Sequence, residues 1–172
     1  LSKDDLVFAL QSSGANLEES DIDVVHRLSC GSMRSANEIL SSDFLNNVND
    51  IIGLISGVWP VFDTDSETIF EKWQKSTKQD PTTVLEDKIL LIKNWLSNGL
   101  IRYSRSRVES LPTIQDEEKL FEKLINTHGL ERLLGRLQEI EHLVTRSKAL
   151  NLDKKEIFFK CIRLLTEQEN LG

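Results

Sequence analysis

The longest stretch with a regular apolar pattern, residues 82–107, limits what this chain can fold into more than any other segment. Its first apolar stripe follows alternating spacings of four and three residues, as one face of an α-helix does, and consists of Leu85, Ile89, Ile92, Leu96, Gly99 and Tyr103. Val84, Leu91 and Trp95 form a second stripe beside the first. A helix that is apolar over so much of its circumference needs neighbours on several sides. The sequence therefore predicts a central helix of a helical bundle, with Trp95 in the core.

The composition favours an all-α chain that does not span a membrane. The three prolines fall between apolar-periodic stretches, and the alternation of β-branched residues typical of strands is scarce. Charged residues interrupt the central stretch too often for a bilayer span. With 28 acidic and 21 basic residues the net charge is −7, which argues against a dedicated nucleic-acid-binding surface.

Two cysteines, Cys30 and Cys161, are far apart and match no metal-binding spacing. Together with the absence of a signal peptide, they predict reduced, structural thiols and a cytoplasmic location. The chain begins with Leu1 and not with methionine, so we expect it to be a fragment of a longer protein.

Three short helices are predicted before residue 42. Ser2 with Asp5 resembles a capping box, Ser20 or Asp21 can cap a second helix, and Ser32 can cap a third. Such short helices are stable only when they pack against one another. The polar run at residues 41–43 then breaks the pattern, which predicts two domains, residues 1–42 and residues 43–172.

The second domain is predicted to be a bundle around the central helix. Two helices precede that helix, with a polar loop expected at residues 75–80, and three follow it. The last of these is preceded by Asp153 and Glu156, which have the spacing of a helix cap. The final two helices carry more apolar positions than one packing seam needs. We therefore expect a subunit interface that includes Leu133, Ile140, Phe159 and Leu164.

Residues with catalytic spacing are scarce, so the chain is not expected to be an enzyme or to hold a cofactor or metal. It has no GxxxxGK[ST] segment, and His26, His128 and His142 have no partners at metal-ligand spacing. These histidines are predicted to lie at the surface or at helix ends. The exception is Arg34, a cation in the first turn of a helix, where the helix dipole disfavours positive charge. The Arg34 side chain is either solvated there or positioned to contact a phosphate or a partner protein.

The segment RLSCGSMRSA, residues 27–36, resembles the R-L-S/A-x-G-S-x-x-x-A stretch of the lid domain in bacterial clamp-loader subunits of DNA polymerase III. Within that family it is most similar to the delta-prime subunits. Residues 87–96, DKILLIKNWL, resemble the Leu-rich helix of those subunits that contains a Trp-Leu pair. Residues 148–155, KALNLDKK, are similar to the connection between their last two helices.

This resemblance implies an AAA+ lid at residues 1–42, a collar domain at residues 43–172 and an ATPase-like domain upstream. It implies a non-catalytic part of the clamp loader, whose collar assembles with delta and gamma/tau subunits and meets the sliding clamp and primer-template DNA only indirectly. Arg34 matches the position of the sensor-2 arginine of the active ATPase subunits. Two alternatives stay open: the equivalent region of a gamma/tau ATPase subunit, and an unrelated all-α adaptor that binds helices in a groove.

Overall fold

A computed structural model of the chain describes residues 2–12, 14, 17–30, 32–41, 43–79, 84–105 and 114–168. Within these ranges it consists of α-helices and contains no β-strand, which confirms the predicted all-α class. The helices are α1 (Lys3–Ser12), α2 (Glu19–Ser29), α3 (Met33–Ser41), α4 (Phe44–Ser56), α5 (Asp63–Gln79), α6 (Leu85–Arg105), α7 (Glu117–His128), α8 (Leu130–Leu150) and α9 (Lys154–Thr166).

The first three helices, here called the N-terminal unit, pack against each other, with α2 in contact with both α1 and α3. Their small core contains Leu6, Leu10, Val24, Val25, Ala36 and Ile39. The predicted capping box is confirmed, because the Asp5 amide donates to Ser2 Oγ (3.2 Å) and the Ser2 amide donates to Asp5 Oδ2 (3.1 Å). Ser32 Oγ likewise accepts from the Ser35 amide at 3.4 Å, at the start of α3.

Helices α4 to α9, here called the bundle, surround α6, which packs against α4, α5, α7 and α8. Helix α9 closes the bundle by packing on α8 and α5. The central position of α6 and the burial of Trp95, which is 3% exposed, were both predicted from the apolar stripes. Residues 82, 83, 106 and 107 of the predicted central helix lie outside the described residues.

Two local predictions were wrong. The polar segment at residues 75–80 was expected to be a loop, but α5 continues to Gln79. Its last turns lie at the surface, where polar side chains are compatible with a helix, and Thr77 Oγ1 bonds back to the carbonyl of Trp73 at 2.9 Å. Helix α2 begins at Glu19, after Glu18, with no side-chain cap from Ser20 or Asp21.

Helix α9 begins with the side-chain cap that the sequence predicts. Asp153 Oδ1 accepts a 3.0 Å hydrogen bond from the Glu156 amide, so the predicted cap is confirmed.

Helix α3 packs against α4, and two residues separate these helices along the chain. The N-terminal unit therefore meets the bundle at the beginning of α4, beside α6 and the start of α7.

Candidate functional site

Several hydrogen bonds converge on the carboxylate of Glu117, which is 1% exposed. Trp95 Nε1 of α6 donates to Glu117 Oε1 at 2.8 Å, and the Ile114 amide donates to Oε2 at 3.0 Å. Arg27 Nη2 of α2 contacts both oxygens, at 3.1 and 3.0 Å. One buried carboxylate thus connects the N-terminal unit, the central helix and the start of α7.

Glu117 owes its position to the local geometry at the start of α7. It is the first residue of the helix, and Asp116 before it adopts a left-handed backbone conformation with φ 65°. This turn lets the carboxylate reach back to the Ile114 amide three residues earlier. A negative charge in the first turn is also favoured by the helix dipole, by a few tenths to about 1 kcal/mol at exposed sites.

The hydrogen bonding of the Arg27 guanidinium is less complete than that of the Glu117 carboxylate. Its side chain is 10% exposed, and it approaches Glu117 through Nη2 alone, so the pair lacks the two parallel N–H···O bonds of a fork-like arginine–carboxylate contact. Arg27 Nε is buried and has no hydrogen-bond partner among the described residues. A buried donor without a partner loses its hydration without compensation, at a cost of about 1–3 kcal/mol.

Beside this ion pair lies a cleft of about 340 Å³ between the N-terminal unit and α6. Its walls come from the end of α2, from α3, from the start of α4 and from the face of α6 that carries Asn94, Asn98 and Arg102. Two arginines, Arg27 and Arg102, and two glutamates, Glu38 and Glu117, line it, so its formal charges cancel. A site for a nucleotide phosphate needs an excess of cations or backbone amides, and this cleft does not offer excess positive charge.

Arg34 lies in the first turn of α3 with its side chain 90% exposed. Its Nε atom is 3.3 Å from Glu38 Oε1, one helical turn along the same surface. Exposed pairs of this kind contribute roughly 0.3–0.5 kcal/mol, so the N-terminal unit does not depend on this arginine. The predicted sensor-2 role, in which Arg34 would contact a nucleotide phosphate, stays a prediction.

The four predicted interface residues fall into two groups. Leu133 and Ile140 are buried in the chain's own core, at 0% and 2% exposure, because α8 turns this face towards α6. Their apolar character is accounted for by the core, and neither has surface to offer a partner in this conformation. Phe159 and Leu164 of α9 are half-buried and keep exposed apolar area. Of the four, Phe159 and Leu164 keep exposed area, and the participation of any of them in a subunit interface stays a prediction.

Sequence patterns gave no indication of the Arg27–Glu117 pair, because its members lie 90 residues apart and each has the context of a solvated helix residue. The role of His128 was also missed. It ends α7, as predicted, but it is buried, stacks on Trp59 at 5.6 Å between ring centroids, and its Nε2 lies 2.8 Å from the Leu165 carbonyl oxygen. These contacts give His128 a packing role.

The described ranges contain no group of three or more His, Cys, Asp or Glu side chains that could hold a metal ion. None of their helices is long and apolar enough to cross a membrane. Fold and site together define an all-α chain in which a three-helix unit is tied to a larger bundle by a buried ion pair. Comparison with protein-family models, with curated proteins and with solved structures found no match to this chain.

Proposed function

We propose that this chain is the lid-and-collar part of a non-catalytic clamp-loader subunit of the DNA polymerase III type, similar to delta-prime. The observation that carries the proposal is the agreement between the resembling segments and the fold. Residues 27–36 cross from the end of α2 into α3 of a three-helix unit, residues 87–96 belong to the central helix, and residues 148–155 connect α8 with α9. The resemblance implies these locations for a lid, a collar helix and the last helix pair.

The proposed role is assembly and not catalysis. The cleft between the two units has balanced charges, and Arg34 lies away from the cores with an exposed side chain. An exposed arginine in this position is available to a neighbouring subunit, and the sequence has no GxxxxGK[ST] segment that would cradle a phosphate. We expect no ATP binding or hydrolysis by the chain alone.

The proposed partners are the delta and gamma/tau subunits, which the bundle would contact through its outer surface. Phe159 and Leu164 on α9 offer exposed apolar area for such a contact. The sliding clamp and primer-template DNA would be reached only through those partners, in agreement with the net charge of −7. The proposed location is the cytoplasm.

A gamma/tau ATPase subunit is the second candidate, and Arg34 favours it, because the active ATPase subunits carry their sensor-2 arginine in this turn. The upstream sequence separates the two candidates. An intact GxxxxGK[ST] segment would assign the chain to gamma/tau, and a degenerate one would assign it to a delta-prime-like subunit.

Reconstitution tests the proposal directly. The purified chain is mixed with the collar domains of delta and gamma/tau, and the mixture is analysed by size-exclusion chromatography with light scattering. We expect a stoichiometric complex that contains all three components. Failure to associate at micromolar concentration would overturn the proposal and leave the adaptor hypothesis, whose partner would be a helix of another protein.

A further inference from the structure

The Arg27–Glu117 ion pair joins the N-terminal unit to the bundle at one edge of the cleft. We propose that this pair is a releasable latch, which holds the N-terminal unit closed on α6 and lets it swing away when Arg27 withdraws. The proposal rests on contacts within the chain and does not depend on the proposed function.

The ion pair joins the two units at a place other than their chain connection. Helix α3 ends at Ser41 and α4 begins at Phe44, so the two units are connected by a short segment next to the α3–α4 contact. The ion pair lies instead between α2 and the start of α7. A volume of about 340 Å³ separates the N-terminal unit from α6 beside it. Rotation about the connection would therefore widen the cleft and separate Arg27 from Glu117.

The net free energy of the buried ion pair is compatible with a contact that can open. Removing two charges from water costs several kcal/mol per ion, and only good geometry with further hydrogen bonds recovers that cost. Here Arg27 uses one nitrogen for both carboxylate oxygens, and its Nε is buried without a hydrogen-bond partner among the described residues. The attraction between the charges is thus largely offset while both are present, whereas withdrawal of one partner leaves the other charge buried and unpaired, which favours the open arrangement.

The hydrogen bonds that hold Glu117 within the bundle remain when the latch opens. When Arg27 leaves, Glu117 still accepts hydrogen bonds from Trp95 Nε1 at 2.8 Å and from the Ile114 amide at 3.0 Å. Water entering the widened cleft can hydrate both charges. Neither unit needs to unfold, so the movement is reversible.

The test measures the distance between the two units by double electron–electron resonance. Spin labels are attached at Gln11→Cys on α1 and Gln138→Cys on α8, two exposed positions, in a Cys30→Ser background. Arg27→Met and Glu117→Gln remove one charge each, and Glu117→Gln keeps an acceptor for Trp95. Arg34→Met is the matched control, because it removes an exposed arginine of the same unit.

We expect a dominant short distance in the parent and in Arg34→Met. In Arg27→Met and Glu117→Gln the ratio of open to closed populations should rise at least about fivefold, the low end of ordinary coupling between sites. Unchanged distance distributions in both variants, with the parent's circular dichroism, would overturn the latch. Loss of helicity in both would also overturn it, since a releasable contact cannot be required for folding.

Discussion

Gly99 of α6 and Phe121 of α7 approach each other so closely that a methyl group has no room between them. A Cβ atom placed on Gly99 would lie 2.7 Å from Phe121 Cε2 and closer still to Cζ. The ring cannot easily retreat, because it is 3% exposed and packs on Trp95 and Tyr103 with centroid distances of 5.6 and 6.4 Å. The glycine in the apolar stripe therefore sets the α6–α7 spacing.

Gly99→Ala should lower the free energy of unfolding by about 1–3 kcal/mol, as overpacking of a core does. Urea denaturation measures the change. Gly53→Ala and Gly135→Ala are the controls, because both glycines are within helices and an added Cβ meets nothing within 4 Å. These controls should be neutral or stabilising by up to about 1 kcal/mol. Equal effects at all three positions would contradict the close approach.

Trp95→Ala should destabilise the chain by roughly 3–5 kcal/mol, as truncation of large aromatic core residues does. The substitution leaves a cavity beside Phe121 and removes a donor from Glu117. Thermal unfolding followed by circular dichroism measures the effect. A midpoint within a degree or two of the parent would show that the indole does not support the core.

Phe159→Asp and Leu164→Asp should weaken association with a gamma/tau collar while the isolated chain stays folded. Both side chains are partly buried and keep some exposed area, and an unpaired charge at a dry contact is costly. Leu133→Asp and Ile140→Asp are the contrasting variants and should unfold the chain itself, since those positions are buried. Circular dichroism and a binding titration separate the outcomes. If folded Phe159→Asp and Leu164→Asp bind with unchanged affinity, α9 is not part of the interface.

The two thiols should differ sharply in reactivity. Burial raises the pKa of Cys161 to about 12, so this thiol stays protonated at neutral pH, whereas Cys30 is exposed. Titration with a chromogenic disulfide reagent should therefore detect one thiol in the native chain and two in denaturant. Cys30→Ser should abolish the native signal. Rapid modification of that variant would show that Cys161 is accessible.

The Lys93–Glu141 pair, with 2.8 Å between Nζ and Oε2, should make a pH-dependent contribution to stability. The hydrogen bond from Lys93, and then its charge, lower the pKa of Glu141 below its ordinary value of 4.5. A lowered folded-state pKa contributes stability that is present above the unfolded value and lost as the pH falls through the folded value.

Glu141→Gln should accordingly be less stable than the parent at about pH 6, and the difference should shrink below about pH 4. Urea denaturation at both pH values measures it. Glu139→Gln, at an exposed position on the same helix, controls for the general effect of removing one acid. A difference between Glu141→Gln and the parent that does not change with pH would contradict the linkage.

Periodicity and capping residues alone determined the helical class, the central position of α6 and the starts of α1, α3 and α9. Apolar spacing reports which face of a helix is buried, and side chains such as Ser2, Ser32 and Asp153 act on amides three residues away. Both signals are local in sequence. They fail where polar composition resembles a loop, as in the last turns of α5, because an exposed helix surface has the same composition.

Which apolar faces meet each other was decided only by the tertiary structure. The surplus of apolar positions on the last two helices did not reveal that Leu133 and Ile140 enter the core while Phe159 and Leu164 stay at its edge. The Arg27–Glu117 pair depends in the same way on how α2 is placed against α7, 90 residues away. A long-range ion pair leaves no periodic trace in a sequence, since each partner alone has the pattern of an ordinary charged helix residue.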